Sequence, residues 1–182
     1  MNPISKEAAL KFCELCNWTY EAWITHKVLF DKNLNPEANI GKSVYFTSRL
    51  SHITQEYSLL QIAKLHDPAI IQGSLDLTIN YMVRFGDWGT KEDHIKKIES
   101  KLADLWQHLK PARNKALAHN DLETFMHNST LGEFPVGKDD EYFVALQDLV
   151  NEVHKKWADG PYPFNDLAIA DVEEFLSVHE RG

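Results

Sequence analysis

Arg113 and His119 are the residues whose types and spacing best suit catalysis. Arginine carries a permanent planar cation that binds phosphate oxygens in a bidentate manner, and histidine exchanges a proton near neutral pH. Together they form the smallest set of groups for metal-independent cleavage of RNA, in which a base removes the 2′-hydroxyl proton and a cation stabilises the transition state. Spacing alone is a weak signal, because such pairs on a helix usually cap or contact neighbouring residues.

The spacing also limits how the two side chains act together. A helix rotates by about 100° per residue, so side chains six residues apart point about 120° apart. Arg113 and His119 cannot both bind one small group from one face of a straight helix, but they can flank a cleft. Lys110 and Lys115 cluster beside them, which predicts local positive charge at that cleft.

The composition predicts a single globular domain over residues 1–182. Hydrophobic residues make up 43% of the chain and charged residues 25%, which is typical of folded proteins. The 27 acidic and 19 basic residues give a formal charge of −8, which disfavours a broadly basic nucleic-acid platform or a binder of anionic membranes. No apolar run approaches the roughly 20 residues of a membrane span, and no signal segment is visible. We therefore expect a cytoplasmic protein without a membrane partner.

Hydrophobic periodicity predicts that helices position the Arg/His pair. Apolar residues three or four positions apart form stripes along helices. The first stripe contains Ala9, Cys13, Cys16, Tyr20, Trp23 and Phe30 and is broken at Lys27. The second stripe contains Phe46, Leu50, Ile53, Tyr57 and Leu60. The third and most regular stripe contains Ile95, Ile98, Leu102, Leu105 and Leu109.

Capping and turn residues mark where these helices begin. Gly73 and Ser74 are predicted to open a short helix that carries Met82. Thr90 with Asp93 resembles a capping box, which would start the helix of the third stripe.

The periodicity stops over residues 120–138, which predicts a long loop after the Arg/His pair. Acidic residues 139–141 suit the positive N-terminal end of a further helix that runs to Trp157, and a last helix is expected over residues 167–179. No segment alternates with a period of two. The predicted fold class is therefore all-α, with about six helices.

Segments that resemble metal-binding or phosphate-binding motifs lack residues that those motifs require. Residues 41–43 (Gly-Lys-Ser) copy the end of a phosphate-binding loop, but Pro36 stands where that motif needs its first glycine. Cys13 and Cys16 have the spacing of half a zinc site, yet no second cysteine pair exists in the sequence. The nine histidines are scattered without the spacing of metal ligands. We predict two buried thiols, no metal site and no cofactor.

Residues 113–121 (Arg-Asn-Lys-Ala-Leu-Ala-His-Asn-Asp) closely resemble the R-x(4-6)-H motif of the HEPN superfamily. These all-helical domains are common in prokaryotic toxin and phage-defence systems, and the resemblance is to the AbiU-like abortive-infection branch. Residues 60–68 (Leu-Gln-Ile-Ala-Lys-Leu-His-Asp-Pro) and 74–79 (Ser-Leu-Asp-Leu-Thr-Ile) also resemble the region that precedes the motif in that branch. The resemblance covers roughly residues 20–125.

This resemblance implies an up-and-down helical core, a homodimer, and a cleft at the two-fold axis where Arg113 and His119 of both protomers meet. It implies a metal-independent endoribonuclease of the toxin or phage-defence type that attacks through the 2′-hydroxyl. Arg113 would hold the scissile phosphate, and His119 would act as base or acid. The residues expected to bind RNA are Asn114, Lys115, Lys110 and Asn120.

Two further points concern partners. Toxins of a neighbouring HEPN branch carry, two residues after the histidine, a tyrosine that a nucleotidyltransferase antitoxin modifies; here that position is Asp121. The resemblance thus leaves an antitoxin protein as a partner but argues against this mode of control.

The alternative function is a non-catalytic helical dimer that binds a nucleotide or a partner protein. The net acidity favours that alternative, because RNA affinity comes largely from neutralising phosphates.

Overall fold

The computed structural model describes residues 4–31, 44–110 and 136–180. Within these ranges the chain forms six α-helices and one short hairpin. The helices are α1 (Lys6–His26), α2 (Val44–Leu65), α3 (Ile79–Phe85), α4 (Glu92–Trp106), α5 (Lys138–Trp157) and α6 (Leu167–Glu180). The hairpin pairs β1 (Ile70–Ile71) with β2 (Ser74–Leu75). The predicted all-α fold class is confirmed, and no helix among the described residues has the length and apolarity needed to cross a membrane.

The chain divides into two compact units. Unit 1 comprises Met1–Cys16 and Leu60–Pro163, and unit 2 comprises Asn17–Leu59 and Phe164–Gly182. The prediction of one domain is not tested by this division and stays a prediction.

The core of unit 1 is built mainly where α4 packs on α5. The predicted apolar stripe is confirmed, since its four members in α4 and Leu109 in the turn that follows are all buried. The facing side chains of α5 are also fully buried, among them Leu146, Leu149 and Val153. This packing fixes α4, and therefore fixes the point from which the chain continues towards the Arg/His pair.

The start of α4 differs from the predicted capping box. Residues Gly89–Lys91 form a 3₁₀ turn, and Lys91 precedes the helix without a side-chain cap. Thr90 lies inside that turn, so its hydroxyl cannot act as the cap. Glu92 and Asp93 occupy the first turn of α4 instead, where negative charge is favourable at the positive end of the helix dipole.

The short helix also begins later than predicted. Gln72 and Gly73 both adopt positive φ, at 50° and 86°, as required at the two central positions of a tight hairpin turn. Ser74 consequently pairs with Ile71 in the hairpin rather than opening a helix. Helix α3 starts after Thr78, whose hydroxyl accepts a hydrogen bond from the Tyr81 N–H at 3.2 Å.

Two cysteines lie in the core of unit 1. Cys13 and Cys16 are 1% and 0% exposed, so the predicted burial of both thiols is confirmed. Burial raises the pKa of Cys13 to about 12 and raises the pKa of Cys16 well above its usual value.

Unit 2 contains an irregularity where the first stripe is broken. A π-helical turn, Lys27–Asp31, follows α1 directly. This wider turn changes the register, so Val28 and Leu29 are buried in place of the stripe position at Lys27.

Helix α2 exposes the apolar stripe that an amphipathic helix ordinarily buries. Phe46, Ile53 and Tyr57 are 53%, 55% and 41% exposed. The same part of the helix buries small polar groups instead, and Ser58 Oγ donates a hydrogen bond to the Ala22 carbonyl of α1 at 3.0 Å. This bond and the contact of 2.8 Å between His26 Nδ1 and Thr54 Oγ1 join α2 to α1 within unit 2, and much of the apolar stripe stays exposed.

Candidate functional site

Most of the predicted site follows α4 along the chain. Five predicted residues lie outside the described residues: Arg113, Asn114, Lys115, His119 and Asn120. Lys110 is described and is exposed. The structure thus locates one of the six predicted site residues and does not test whether the others come together.

The chain is held firmly just before Lys110. Leu109 is only 2% exposed, and its backbone N–H donates to the Trp106 carbonyl at 2.9 Å. Arg113 follows Lys110 by three positions, and three residues of chain span at most about 11 Å. The surroundings of Lys110 are therefore the described part of the molecule that covalent geometry keeps close to Arg113.

A cavity of about 370 Å³ opens beside Lys110 within unit 1. This volume lies within the range of small-molecule sites. Its polar lining consists of His66, Asp67, Asn80, Glu99 and Lys110. Its apolar lining consists of Pro68, Ile79, Ala103 and Trp106. This set combines a few polar groups with apolar walls, which is typical of ligand-binding cavities.

The turn after α2 places two of these residues. Backbone bonds from His66 N–H to the Ala63 carbonyl at 3.0 Å, and from Asp67 N–H to the Lys64 carbonyl at 3.3 Å, close the turn. Pro68 then prevents the helix from continuing, since the residue before a proline is disfavoured in helical conformation. Both side chains consequently leave the helix end towards the cavity.

Asn80 joins the first turn of α3 to the same wall. Its side-chain oxygen accepts a hydrogen bond from the Ala69 backbone N–H at 3.3 Å. The Ala69 carbonyl accepts in turn from the Asp76 N–H at 3.0 Å. These bonds connect the hairpin segment to α3 and hold the amide of Asn80 in place.

His66 is fixed from two sides. Its ring stacks on the indole of Trp106 with a centroid distance of 4.9 Å and an angle of 6° between the planes. Its Nε2 lies 2.9 Å from the hydroxyl oxygen of Tyr142 on α5. The turn after α2 and the helices α4 and α5 thus meet at one imidazole.

Burial determines the charge of this cluster. It lowers the pKa of His66 to about 3 and raises the pKa of the Tyr142 hydroxyl well above its usual value. At neutral pH His66 is therefore a neutral imidazole, with one donor and one acceptor nitrogen, and Tyr142 keeps its proton. His66 can position neighbouring groups through hydrogen bonds, but it does not supply a positive charge.

The ionised groups of the cavity have mixed signs. Asp67 and Glu99 contribute carboxylates, and Lys110 contributes one ammonium group at the site. Among the described residues, no three His, Cys, Asp or Glu side chains are grouped so that they could hold a metal ion. The arrangement suits hydrogen bonding to a polar organic ligand.

Sequence reasoning did not single out this cavity. His66, Trp106 and Tyr142 are 36 to 76 positions apart in the sequence, so no local motif connects them. The available signal was the segment 60–68, which carries the family resemblance and contains both His66 and Asp67.

A second cavity, of about 660 Å³, lies within unit 2 and is mostly apolar. The exposed face of α2 forms part of its lining, and Trp18 donates its indole N–H to the Tyr57 hydroxyl at 2.8 Å across it. Its main apolar residues are Trp18, Leu29, Ile53, Tyr57, Val172 and Phe175. This cavity offers surface for packing but few groups for catalysis.

Comparison with known proteins gives one result. The HEPN family described as AbiU2 matches residues 5–175. The matched stretch spans both units and includes both the cavity beside Lys110 and the Arg/His pair. No curated protein and no solved structure matches the chain.

Proposed function

Because this chain belongs to the HEPN family described as AbiU2, we propose that it is a metal-independent endoribonuclease of the abortive-infection type that acts as a homodimer. The observation that carries this proposal is the cavity of about 370 Å³ beside Lys110. It supplies ligand-sized space next to the chain segment that leads to Arg113. Family membership alone would support the fold without supporting an activity.

The proposed reaction is transesterification at the 2′-hydroxyl. His119 removes the 2′-hydroxyl proton, and the 2′-oxygen attacks the adjacent phosphorus. The bond from phosphorus to the 5′-oxygen breaks, and that oxygen leaves with a proton donated by an acid in the cleft. The products are a 2′,3′-cyclic phosphate and a 5′-hydroxyl end. Arg113 neutralises the charge that accumulates on the phosphate oxygens, a role that metal ions fill in other nucleases.

Substitution of the two proposed catalytic residues tests this mechanism. We expect His119→Ala to lower the cleavage rate of a labelled single-stranded RNA by about 10² to 10⁴, the usual contribution of general acid–base catalysis. Arg113→Ala is expected to be similarly damaging. Arg113→Lys should recover only part of the rate, because an ammonium group lacks the planar fork of a guanidinium.

Matched controls separate catalysis from folding. His94→Ala removes an exposed histidine of α4 and should leave the cleavage rate unchanged. Cleavage should continue in EDTA, and an RNA with a single 2′-deoxy substitution at the cleaved position should resist. Restoration of an EDTA-sensitive activity by magnesium or manganese would contradict the mechanism, as would wild-type rates in folded Arg113→Ala and His119→Ala proteins.

The dimer is proposed to share its site between protomers. Because a helix directs residues six positions apart about 120° away from each other, His119 of one protomer would act with Arg113 of the other. Mixing Arg113→Ala with His119→Ala chains and allowing subunit exchange should then restore part of the activity. A sedimenting particle of 21.0 kDa at micromolar concentration would contradict the dimer. Confirmed exchange without recovered activity would contradict the shared site.

One observation favours the alternative of a non-catalytic partner-binding dimer. The apolar cavity of unit 2 and the exposed face of α2 offer a surface that fits another protein. An antitoxin protein would be one such partner. This alternative would be favoured over the endoribonuclease if the chain bound a partner protein and cleaved no RNA under any of the conditions above.

A further inference from the structure

We propose that the cavity beside Lys110 is a base-recognition subsite that selects guanine in single-stranded RNA. This inference rests on the proposed function, because it assigns to that activity a substrate preference. Sequence-specific proteins read single-stranded RNA by binding unstacked bases and forming hydrogen bonds to their edges.

The carboxylates of the cavity determine which base edge is favoured. An ionised carboxylate only accepts hydrogen bonds, and its two oxygens can accept two parallel N–H groups. Guanine presents two adjacent donors, N1–H and the N2 amino group, on one edge. Adenine and cytosine place an acceptor nitrogen beside their amino group, and uracil has a single N–H. Asp67 and Glu99 therefore complement guanine better than the other three bases.

Asn80 supplies a hydrogen-bond donor, in contrast to the two carboxylates. Its side-chain oxygen is engaged by the Ala69 N–H at 3.3 Å, which orients the amide so that its nitrogen is the group left to donate. Guanine carries acceptors at O6 and N7. A wall with carboxylate acceptors and an amide donor thus matches the donors and acceptors of one base.

The remaining walls fit an aromatic ring. Ile79, Ala103 and Trp106 are apolar residues on two fixed helices, α3 and α4. The stack of His66 on Trp106, with 6° between the ring planes, holds the indole rigidly. A cavity that is ordered before binding loses less entropy when the ligand enters.

Charge explains why the base rather than the phosphate would enter. With His66 neutral, two carboxylates and one ammonium group give the lining a net charge of −1. A phosphate would be repelled from such a cavity, whereas a neutral base would not. Lys110 is exposed and can contact the RNA backbone from the rim.

Nucleotide binding tests the subsite without requiring cleavage. Calorimetry of the 182-residue chain should show that guanosine monophosphate binds about tenfold or more tightly than uridine monophosphate, the discrimination expected of a bidentate base contact. Glu99→Gln replaces one acceptor oxygen by an amide and should remove about tenfold of the guanosine affinity. It should change uridine affinity less than twofold. Asp104→Asn, an exposed position on the same helix outside the cavity, is the matched control and should change neither.

Asp67→Asn provides a second variant should Glu99→Gln alter folding, which circular dichroism and thermal unfolding would reveal. Equal binding of the two nucleotides by the wild-type chain, absence of binding, or an unchanged preference in both folded variants would each overturn the subsite.

Cleavage separates this inference from the proposed function. Chimeric DNA oligonucleotides with one ribonucleotide (A, C, G or U) should be cut preferentially beside guanosine, and Glu99→Gln should reduce that preference at least threefold. Cleavage without base preference, together with equal nucleotide binding, would overturn the subsite and leave the endoribonuclease standing. Selective guanosine binding by a chain that cuts none of the substrates would support the subsite and contradict the endoribonuclease.

Discussion

The cavity beside Lys110 in unit 1 and the apolar cavity in unit 2 differ in chemistry. The first has about 370 Å³ and combines carboxylate, amide, ammonium and imidazole groups. The cavity of unit 2 is larger, at about 660 Å³, and is mostly apolar. Catalysis and selective recognition need groups that donate, accept or exchange protons. The smaller cavity is therefore the better candidate for chemistry, and the larger one suits packing against another apolar surface.

One matched pair of substitutions on α2 tests how differently the two units use apolar residues. Ile62 in unit 1 is 1% exposed, whereas Ile53 in unit 2 is 55% exposed. We expect Ile62→Ala to lower the free energy of unfolding by about 2–5 kcal/mol and Ile53→Ala to lower it by less than about 0.5 kcal/mol. Urea denaturation measures both. Similar losses of unfolding free energy in the two variants would contradict an exposed apolar face on α2. A loss in Ile53→Ala that grew with protein concentration would locate a self-association surface at Ile53.

The buried imidazole of unit 1 predicts a pH dependence. The pKa of His66 is lowered to about 3 in the folded chain, against about 6.5 when exposed. Below pH 6.5 the unfolded chain therefore binds a proton that the folded chain does not, and stability falls as the pH decreases from 6.5 towards 3. One such proton contributes a slope of at most about 1.4 kcal/mol per pH unit.

His66→Gln should remove this contribution from a series of urea denaturations at different pH. His94→Gln, at an exposed position on α4, should retain it. A pH dependence that is identical in the wild-type and His66→Gln chains would show that His66 is not the group that titrates.

The smallest expected effect concerns the helix start that supports the cavity wall of unit 1. Thr78 caps α3 directly before Ile79 and Asn80, and Thr78→Ala should cost about 1 kcal/mol of stability. Thr90 makes no cap, so Thr90→Ala should cost less than about 0.5 kcal/mol. Thermal unfolding of the two variants provides the comparison. A larger loss at Thr90 would restore the capping box that the sequence favoured.

The parts of the fold that follow from local pattern were predictable. Helix α4 repeats its apolar residues with the period of a helix, and its four predicted members and Leu109 just after it are buried. The predicted last helix, residues 167–179, matches α6 (Leu167–Glu180) closely. The hairpin at Gln72 was missed because Gly and Ser are also residues found at helix starts, and positive φ at Gln72 leaves no mark in the sequence.

Burial on α2 could not be derived from its own residues. The stripe through Ile53 has the correct period for a core face, but small hydroxyl residues pack on α1 instead. Which side of a helix is buried depends on its neighbours, and these are distant in the sequence. The same holds for the candidate site, since Tyr142 reaches His66 from 76 positions away. The Arg/His pair lies outside the described residues, and its role stays a prediction.

Alkylation of the two thiols of α1 can measure how often unit 1 opens. Alkylating reagents react with thiolates and need access to the sulfur, and Cys13 and Cys16 offer neither in the folded state, with exposures of 1% and 0% and raised pKa values. Cys13 and Cys16 can therefore be alkylated only after this part of the chain opens. The rate at which iodoacetamide modifies the native protein would report the opening of unit 1 alone, because no cysteine is present in unit 2.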